Sequence, residues 1–301
     1  MRRGWIFREG RKGIGALALL AAALLAGPVC LHAQTTQYKE LDTPYVPTPQ
    51  MVVERMLELA KVKTGDTVID LGSGDGRIMI TAAKEYGAHG FGVEIDPYLV
   101  QTSNEEALRV GVADRVKFIK QDLFATDFHE ADVLTLYLLP DVNMALRPKI
   151  LSELRPGTRV VSHDYGMGTW RPDAQDTIPA PDKTVGARKE STVYLWIVPA
   201  KVGGDWELDI HLAGKTRTYS LSLEQKYQEV SGSVSAPARK NVDPGPVQGR
   251  LQGDQIKLGL PGGVVSREPV DLVGRIVGGT AKGSVKRRDR EIATWSARRR
   301  S

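Results

Sequence analysis

The stretch "VIDLGSGDGRIMITAAKEYG", residues 68–87, decides the fold of this chain. It reads as an apolar strand, then a glycine-rich turn, then a run whose apolar residues recur at helical spacing. A strand–turn–helix unit of this kind presents backbone N–H groups that can hold a cofactor. The stretch also contains two carboxylates, Asp70 and Asp75, and these limit which cofactor fits.

The glycine spacing argues against a dinucleotide. The dinucleotide fingerprint has glycines at positions one, three and six of the turn, whereas Gly72, Gly74 and Gly76 stand at one, three and five here. A pyrophosphate would face the two carboxylates, and each like-charge contact at ~4 Å costs roughly 4 kcal/mol at an effective dielectric of about 20. The turn therefore favours a cationic nucleoside with an ammonium and a sulfonium group, and a nicotinamide oxidoreductase is disfavoured.

Alternating strand and helix patterns surround this unit. Thr48 and Pro49 predict the N-cap and first position of a helix. Apolar strands are predicted at 67–71, 90–95, 116–119, 132–139, 158–163 and 192–200, with helices at 77–86, 97–109 and 144–154. Apolar strands joined by helices indicate a parallel sheet covered on both faces, so we predict a doubly wound, Rossmann-like α/β sheet.

The pattern changes near residue 201. A long polar stretch, 172–189, precedes the last strand of the sheet, and short alternating segments separated by glycine turns fill the chain after "KVGG" at 201–204. Such segments predict a small antiparallel β-domain, either a barrel or a sandwich. We therefore divide the chain into the α/β domain at 34–200 and a β-rich C-terminal domain at 201–301.

Residues 1–33 have the order of a secretory signal peptide. Five basic residues precede an apolar run at 14–26, which is short for a membrane span, and Ala33 closes the segment. We expect an exported protein, periplasmic or secreted, with no membrane span after cleavage; an uncleaved anchor is the alternative. Cleavage removes the single cysteine, Cys30, and therefore excludes disulfides, cysteine-ligated zinc and a cysteine nucleophile. The scattered histidines predict no metal site.

Cleavage also changes the charge of the chain. The segment carries five basic residues and one acid, so the formal net charge falls from +5 to +1. The basic runs "KRRDR" at 286–290 and "RRR" at 298–300 are more typical of a solvated face than of a nucleic-acid contact. Nucleic acid is therefore not an expected partner.

Motifs in the predicted α/β domain resemble those of the class I S-adenosylmethionine-dependent methyltransferases. The resemblance runs over about residues 42–200 and is carried by "DLGSGDGR" (70–77), "GVEID" (92–96) and "QDLF" (121–124). Ahead of them, "DTPYVPTP" (42–49) resembles the pre-motif of lysine methyltransferases related to the mitochondrial carrier and ATP-synthase c-subunit enzymes.

The resemblance implies S-adenosylmethionine as the cofactor. It assigns the contacts as Asp70, Gly72 and Gly74 along the methionine moiety, Glu94 at the ribose hydroxyls, Asp122 at the adenine amino group, and Tyr45 and Thr48 closing over the ligand. The placement of Glu94 agrees with this, because it follows the glycine turn by about twenty residues at a strand end, where an acid binds a ribose.

The methyl acceptor is expected at the carboxyl ends of the fourth and fifth strands, at "YLLPD" (137–141) and "SHDYGMGTW" (162–170). The first segment lacks the acidic or asparagine Pro-Pro motif of many amide and adenine methyltransferases, which disfavours those acceptors. In the second, His163 is a candidate base, Asp164 can attract a cationic acceptor, and Tyr165 is a further polar contact. A buried structural role for His163 is the alternative.

The sequence therefore predicts a methyltransferase that acts on an amine, with a protein lysine or a small amine as the acceptor. The competing hypothesis is an exported, non-catalytic ligand-binding protein with a methyltransferase fold, in which the β-domain recognises the ligand. The intact glycine turn favours the enzyme. The sequence does not define the role of the β-domain or the oligomeric state.

Overall fold

The computed structural model describes residues 44–236 and 245–300, which belong to one compact unit at 41–301. The predicted signal peptide, residues 1–33, lies outside the described residues. In the described part of the chain, no helix is both long and apolar enough to span a membrane.

The first half of the described chain forms a seven-stranded sheet in the order β3-β2-β1-β4-β5-β7-β6. Its strands are β1 (Thr67–Leu71), β2 (His89–Glu94), β3 (Val116–Lys120), β4 (Val133–Leu136), β5 (Arg159–His163), β6 (Ala174–Pro179) and β7 (Glu190–Ile197). Its helices are α1 (Gln50–Leu59), α2 (Arg77–Tyr86), α3 (Pro97–Arg109) and α4 (Pro140–Glu153), with a short 3-10 helix at Leu123–Ala125. The doubly wound α/β prediction is confirmed.

Strand order brings the functional loops together. The neighbours of β1 are β2 and β4, both parallel to it, and β5 follows β4 in parallel. The carboxyl ends of β1, β2, β4 and β5 therefore meet at one edge of the sheet, where ligands bind in open α/β folds. Burial of β1 and β4 on both faces fixes their register, because Val68, Leu71 and Leu134 pack into the core.

Two features of the sheet differ from the predicted pattern. The strand β7 runs antiparallel to both β5 and β6, so the sheet is mixed and not wholly parallel. The strand β6 lies within the polar stretch at 172–189, where apolar periodicity gave no strand signal. It is an edge strand with alternating exposure, so only one face needs apolar residues.

The helix α1 also begins differently from the prediction. Its N-cap is Pro49 and no side chain caps it, so the prediction that Thr48 is the N-cap was wrong. The carbonyl of Pro49 accepts hydrogen bonds from the amides of Val52 and Val53. Thr48, the preceding residue, is buried, and its hydroxyl lies 3.3 Å from Nδ1 of His163 at the carboxyl end of β5.

The C-terminal part forms a closed antiparallel barrel of eight strands, which decides between the barrel and the sandwich. Its strands are β8 (Gly204–Leu212), β9 (Lys215–Lys226), β10 (Glu229–Ser235), β11 (Gly245–Gln252), β12 (Gln255–Leu260), β13 (Val270–Val277), β14 (Thr280–Arg287) and β15 (Arg290–Arg299). Consecutive strands pair, and β15 closes on β8. Trp206, Leu258 and Trp295 are among the side chains that fill its apolar interior.

Candidate functional site

The glycine turn after β1 is enclosed on two sides. Gly72 and Gly74 have φ angles of 76° and 54°, in the left-handed region that favours glycine. A Cβ at Gly72 would lie 2.8 Å from Leu138 Cδ2, and one at Gly74 would lie 2.7 Å from Tyr45 Cε2. Both positions therefore require glycine for space as well as for backbone conformation.

Two buried side-chain oxygens at this turn lack a hydrogen-bond partner within the described part of the chain. Thr135 donates from its hydroxyl to Asp70 Oδ1 at 2.6 Å. The second carboxylate oxygen, Asp70 Oδ2, and the hydroxyl of Ser73 have no hydrogen-bond partner among the described residues. Burial raises the pKa of Asp70 to about 7, although the hydrogen bond from Thr135 opposes the shift. Unpaired buried polar atoms are rare in folded proteins, and a polar ligand at the turn would satisfy them.

Glu94, at the end of β2, holds the glycine turn in place. Its Oε2 accepts the backbone N–H of Gly74 at 2.9 Å, and its Oε1 accepts those of Ile95 at 2.8 Å and Asp96 at 3.1 Å. The same carboxylate therefore connects β2 to the turn after β1, at the edge where the ligand is expected.

Asp122 follows β3 and is exposed. It is the N-cap of the 3-10 helix, and its Oδ1 accepts the N–H of Phe124 at 2.8 Å. The structure therefore gives this residue a capping role and leaves its side chain open to solvent.

An ion pair inside the turn ties it to the segment before α1. The side chain of Arg77 donates through Nε to Asp75 Oδ1 at 2.9 Å and Oδ2 at 3.0 Å, and through Nη1 to the carbonyl of Thr48 at 2.8 Å. Tyr45 lies near this pair and also acts to lower the pKa of Asp75. Burial of Asp75 acts to raise its pKa, but the hydrogen bond and charge of Arg77 hold it below the ordinary value.

The pairing corrects one expectation from the sequence. An unpaired carboxylate at Asp75 was expected to repel a phosphate, whereas Arg77 neutralises it. The pair instead positions residues 45–48, the lid segment, over the turn. The lid segment contains both Tyr45 and Thr48, the residues expected to close over the cofactor.

The acceptor-side histidine is fully buried. His163 Nδ1 lies 3.3 Å from Thr48 Oγ1, and His163 Nε2 lies 2.8 Å from Ser191 Oγ. Tyr137, which follows β4, covers the imidazole with its ring centroid 3.9 Å away. Burial lowers the pKa of His163 to about 4, so the ring is neutral at physiological pH.

Asp164 and two tyrosines lie next to this histidine. Asp164 has a φ angle of 59°, which is uncommon for a residue other than glycine. Its Oδ1 accepts the N–H of Thr192 at 3.0 Å, and its Oδ2 lies 2.6 Å from Lys183 Nζ. The ring of Tyr165 stacks at 6.3 Å from that of Tyr137. Burial, followed by the charge of Asp164, raises the pKa of Tyr137 to about 12.

The three predicted acceptor residues, His163, Asp164 and Tyr165, follow one another at the end of β5, and their role at the acceptor stays a prediction. Tyr137 contacts His163 and Tyr165, and Lys183 contacts Asp164. Sequence reasoning did not single out Tyr137 or Lys183. The position of Tyr137 at the carboxyl end of β4 could have indicated it, since ligand-binding residues collect at such ends. No sequence pattern indicated Lys183, because it lies in a polar loop. It reaches Asp164 only because β7, which follows this loop, pairs with β5 in the antiparallel direction.

The segment 164–170, the acceptor loop, is held first by α4. Asn143 is buried and donates from Nδ2 to the carbonyl of Tyr165 at 3.2 Å. Arg147 donates from Nη1 to the carbonyl of Met167 at 2.9 Å. Both bonds fix the backbone of the loop from the helix that follows β4.

The barrel holds the other end of this segment. Tyr227, in the turn between β9 and β10, stacks on Trp170 with ring centroids 6.0 Å apart, and its hydroxyl lies 3.0 Å from Thr169 Oγ1. The buried Gln228 donates from Nε2 to the carbonyl of Arg171 at 2.7 Å. The barrel therefore contacts the acceptor loop directly.

Comparisons with known proteins match this part of the chain. A family model for the ANTKMT methyltransferase domain matches residues 70–174. A protein-lysine N-methyltransferase of Saccharolobus islandicus (strain REY15A) is 44% identical over 156 residues, which cover 52% of this chain and 93% of that protein. An ATP-synthase c-subunit lysine N-methyltransferase of Xenopus laevis is 34% identical over 161 residues, 52% of this chain and 70% of that protein.

A solved structure is also similar. The crystal structure of an RNA methyltransferase from Salinibacter ruber in complex with S-adenosyl-L-homocysteine has 51% sequence identity and a TM-score of 0.47. The match covers 52% of this chain and 96% of that chain.

Proposed function

The chain belongs to the S-adenosylmethionine-dependent methyltransferase family that carries the ANTKMT methyltransferase domain, and on this premise we propose that its methyl acceptor is a lysine side chain of a protein. Two similar proteins, one from Saccharolobus islandicus and one from Xenopus laevis, are lysine methyltransferases. The geometry of the acceptor edge is compatible with the same class of acceptor.

The residues at the glycine turn fit the cofactor, S-adenosylmethionine. The unpaired Oδ2 of Asp70 and hydroxyl of Ser73 offer a buried polar surface for an ammonium and a carboxylate group. Gly72 and Gly74 leave room at positions where any Cβ would clash. When bound, S-adenosylmethionine supplies a sulfonium methyl group that a nucleophile accepts.

The observation that carries the lysine proposal is the carboxylate of Asp164 beside two tyrosine rings at the same edge. Asp164 already holds an ammonium group of this chain at 2.6 Å, so it can hold that of an acceptor. Tyr137 and Tyr165 flank the site with stacked rings, and such rings favour a nearby cation. Placement of the acceptor amine in line with the methyl group supplies most of the acceleration, on the order of 7–11 kcal/mol.

The acceptor amine must lose its proton before transfer. A lysine has an ordinary pKa of about 10.4, whereas burial lowers the pKa of His163 to about 4. An imidazole with a pKa of about 4 is too weak a base to deprotonate a lysine, and both of its ring nitrogens already have partners. We therefore assign His163 a positioning role: it connects Thr48 of the lid segment to Ser191 of β7. The proton leaves to solvent.

The test uses the chain from Gln34, S-adenosylmethionine labelled on the methyl group, and an extract of cells that lack the gene. We expect label on lysines of protein, mapped by mass spectrometry. The Asp164→Asn variant should lose most of this label while it binds S-adenosylhomocysteine as tightly as the wild type in calorimetry. Label confined to RNA or to small molecules would overturn the lysine acceptor.

We also propose that the enzyme is exported, which rests on the signal-like order of residues 1–33. Cell fractionation with an antibody to the barrel tests this. The protein should be found outside the cytoplasm, and its N-terminus should be Gln34. Protein found only in the cytoplasm, with residues 1–33 intact, would contradict export.

A further inference from the structure

The loop between β6 and β7 contributes one lysine to the acceptor edge. Every residue at 181–190 is exposed except Lys183, whose side chain is only 12% exposed. The loop is closed at its base, because the N–H of Ala180 donates to the carbonyl of Lys189 at 2.8 Å. Lys189 Nζ also donates to the carbonyl of Lys183 at 2.6 Å.

The ammonium group of Lys183 has two acceptors. It donates to Asp164 Oδ2 at 2.6 Å and to the carbonyl of Glu190 at 2.7 Å. Its partner Asp164 is itself held in the left-handed region by backbone bonds to Thr192, whose carbonyl accepts the Asp164 N–H at 2.7 Å. Uncommon backbone conformations in residues other than glycine collect at ligand-binding positions.

The neighbours of this ion pair are those of the proposed acceptor site. Asp164 is the last member of a row that runs through His163 to Thr48 of the lid segment, since His163 Nε2 lies 3.4 Å from Asp164 Oδ2. Tyr137 lies over His163 and stacks with Tyr165. A lysine side chain thus ends on a carboxylate beside two aromatic rings, at the edge that carries the glycine turn.

We propose that Lys183 is an internal substitute for the acceptor lysine, and that an incoming lysine must displace it from Asp164. This inference rests on the proposed lysine acceptor and adds a regulatory contact to the same site. The loop at 180–189 then acts as a pseudosubstrate segment. Its ends are anchored by β6 and β7, so release requires that the Lys183 ammonium group leave Asp164 and the carbonyl of Glu190 while the β6–β7 pairing persists.

The need to displace Lys183 from Asp164 predicts how much the affinity for an acceptor lysine is reduced. An acceptor that competes with an ion pair of about 1 kcal/mol binds about fivefold more weakly than it would to the free carboxylate. Replacement of Lys183 by glutamine removes the competing charge and keeps a side chain of similar length. The apparent affinity for a lysine side chain should therefore rise about fivefold.

The experiment measures binding of Nα-acetyl-lysine methylamide to the full chain saturated with S-adenosylhomocysteine, by saturation-transfer NMR. We expect Lys183→Gln to bind the probe about fivefold more tightly than the wild type. Arg188→Gln, which removes an exposed positive charge from the same loop but not from Asp164, is the matched control and should match the wild type. Asp164→Asn should abolish the gain when combined with Lys183→Gln.

The inference is overturned if Lys183→Gln and Arg188→Gln bind the probe equally, or if the Asp164→Asn change leaves the gain intact. Its failure is distinct from failure of the proposed function, because the labelling experiment reports the acceptor class without reference to Lys183. Label on protein lysines together with unchanged probe binding would leave the enzyme a lysine methyltransferase and assign the ion pair a structural role only.

Discussion

The buried carboxylate of Asp70 predicts a specific dependence of stability on pH. Burial raises its pKa from 3.8 to about 7 in the ligand-free chain. Each unit of pKa difference corresponds to about 1.4 kcal/mol, so the difference of about three units amounts to about 4 kcal/mol. Between about pH 4 and pH 7 the native state holds a proton on Asp70 that the unfolded state has released. The free energy of unfolding therefore falls as the pH rises through this window and levels off above it.

The Asp70→Asn variant removes the ionisation and keeps the shape of the side chain. We expect the variant to lack this fall, and to be more stable than the wild type at pH 8 by up to about 4 kcal/mol. The assay is urea unfolding of both proteins, followed by circular dichroism at intervals between pH 4.5 and pH 8.5 without ligand. The control is Asp122→Asn, because this aspartate lies exposed on the turn after β3.

The result that refutes this reasoning is a constant difference in unfolding free energy between the wild type and Asp70→Asn across the pH range. Such a result would mean that the carboxylate ionises equally in both states. A ligand or water would then have to satisfy the buried oxygen, Asp70 Oδ2, which has no partner among the described residues.

Three further predictions concern the lid segment, the turn and the barrel. Arg77→Gln removes the hydrogen bond to the carbonyl of Thr48 and should weaken S-adenosylhomocysteine binding at least tenfold in calorimetry, since a bond to a charged group contributes about 1.5–3 kcal/mol. Arg55→Gln, which also loses ion pairs, should leave this binding unchanged, and equal losses in the two variants would refute the role of Arg77 in holding the lid segment. Gly74→Ala places a Cβ 2.7 Å from the ring of Tyr45 and should lower the affinity for S-adenosylhomocysteine at least tenfold. Gly65→Ala, at a similarly positive φ angle but with no atom within 4 Å of the added Cβ, should leave this affinity unchanged. Tyr227→Ala should increase hydrogen exchange in the acceptor loop and leave S-adenosylhomocysteine binding intact; unchanged exchange would show that the barrel does not order the loop.

The sequence alone determined the α/β sheet and the glycine turn, and the resemblance of its motifs indicated the class of cofactor. Strand and helix periods are local properties, so β1, α2 and the residues between them could be read directly. The glycine spacing at 72–76 also carried its own reason, because positive φ angles and close contacts leave no alternative residue at Gly72 and Gly74. The short alternating segments after residue 201 predicted the antiparallel domain but not its closure into a barrel.

Only the tertiary structure decided which side chains meet. The sequence placed Thr48 as a helix cap and left Asp75 unpaired, whereas folding directs Thr48 to His163 and pairs Asp75 with Arg77. Because β7 pairs with β5 in the antiparallel direction, Lys183 in the loop before β7 forms an ion pair with Asp164. These contacts join residues that lie far apart in the chain or depend on rotamers and strand order. Local periodicity contains no information about them, because it records which face of an element is buried and not which neighbour covers it.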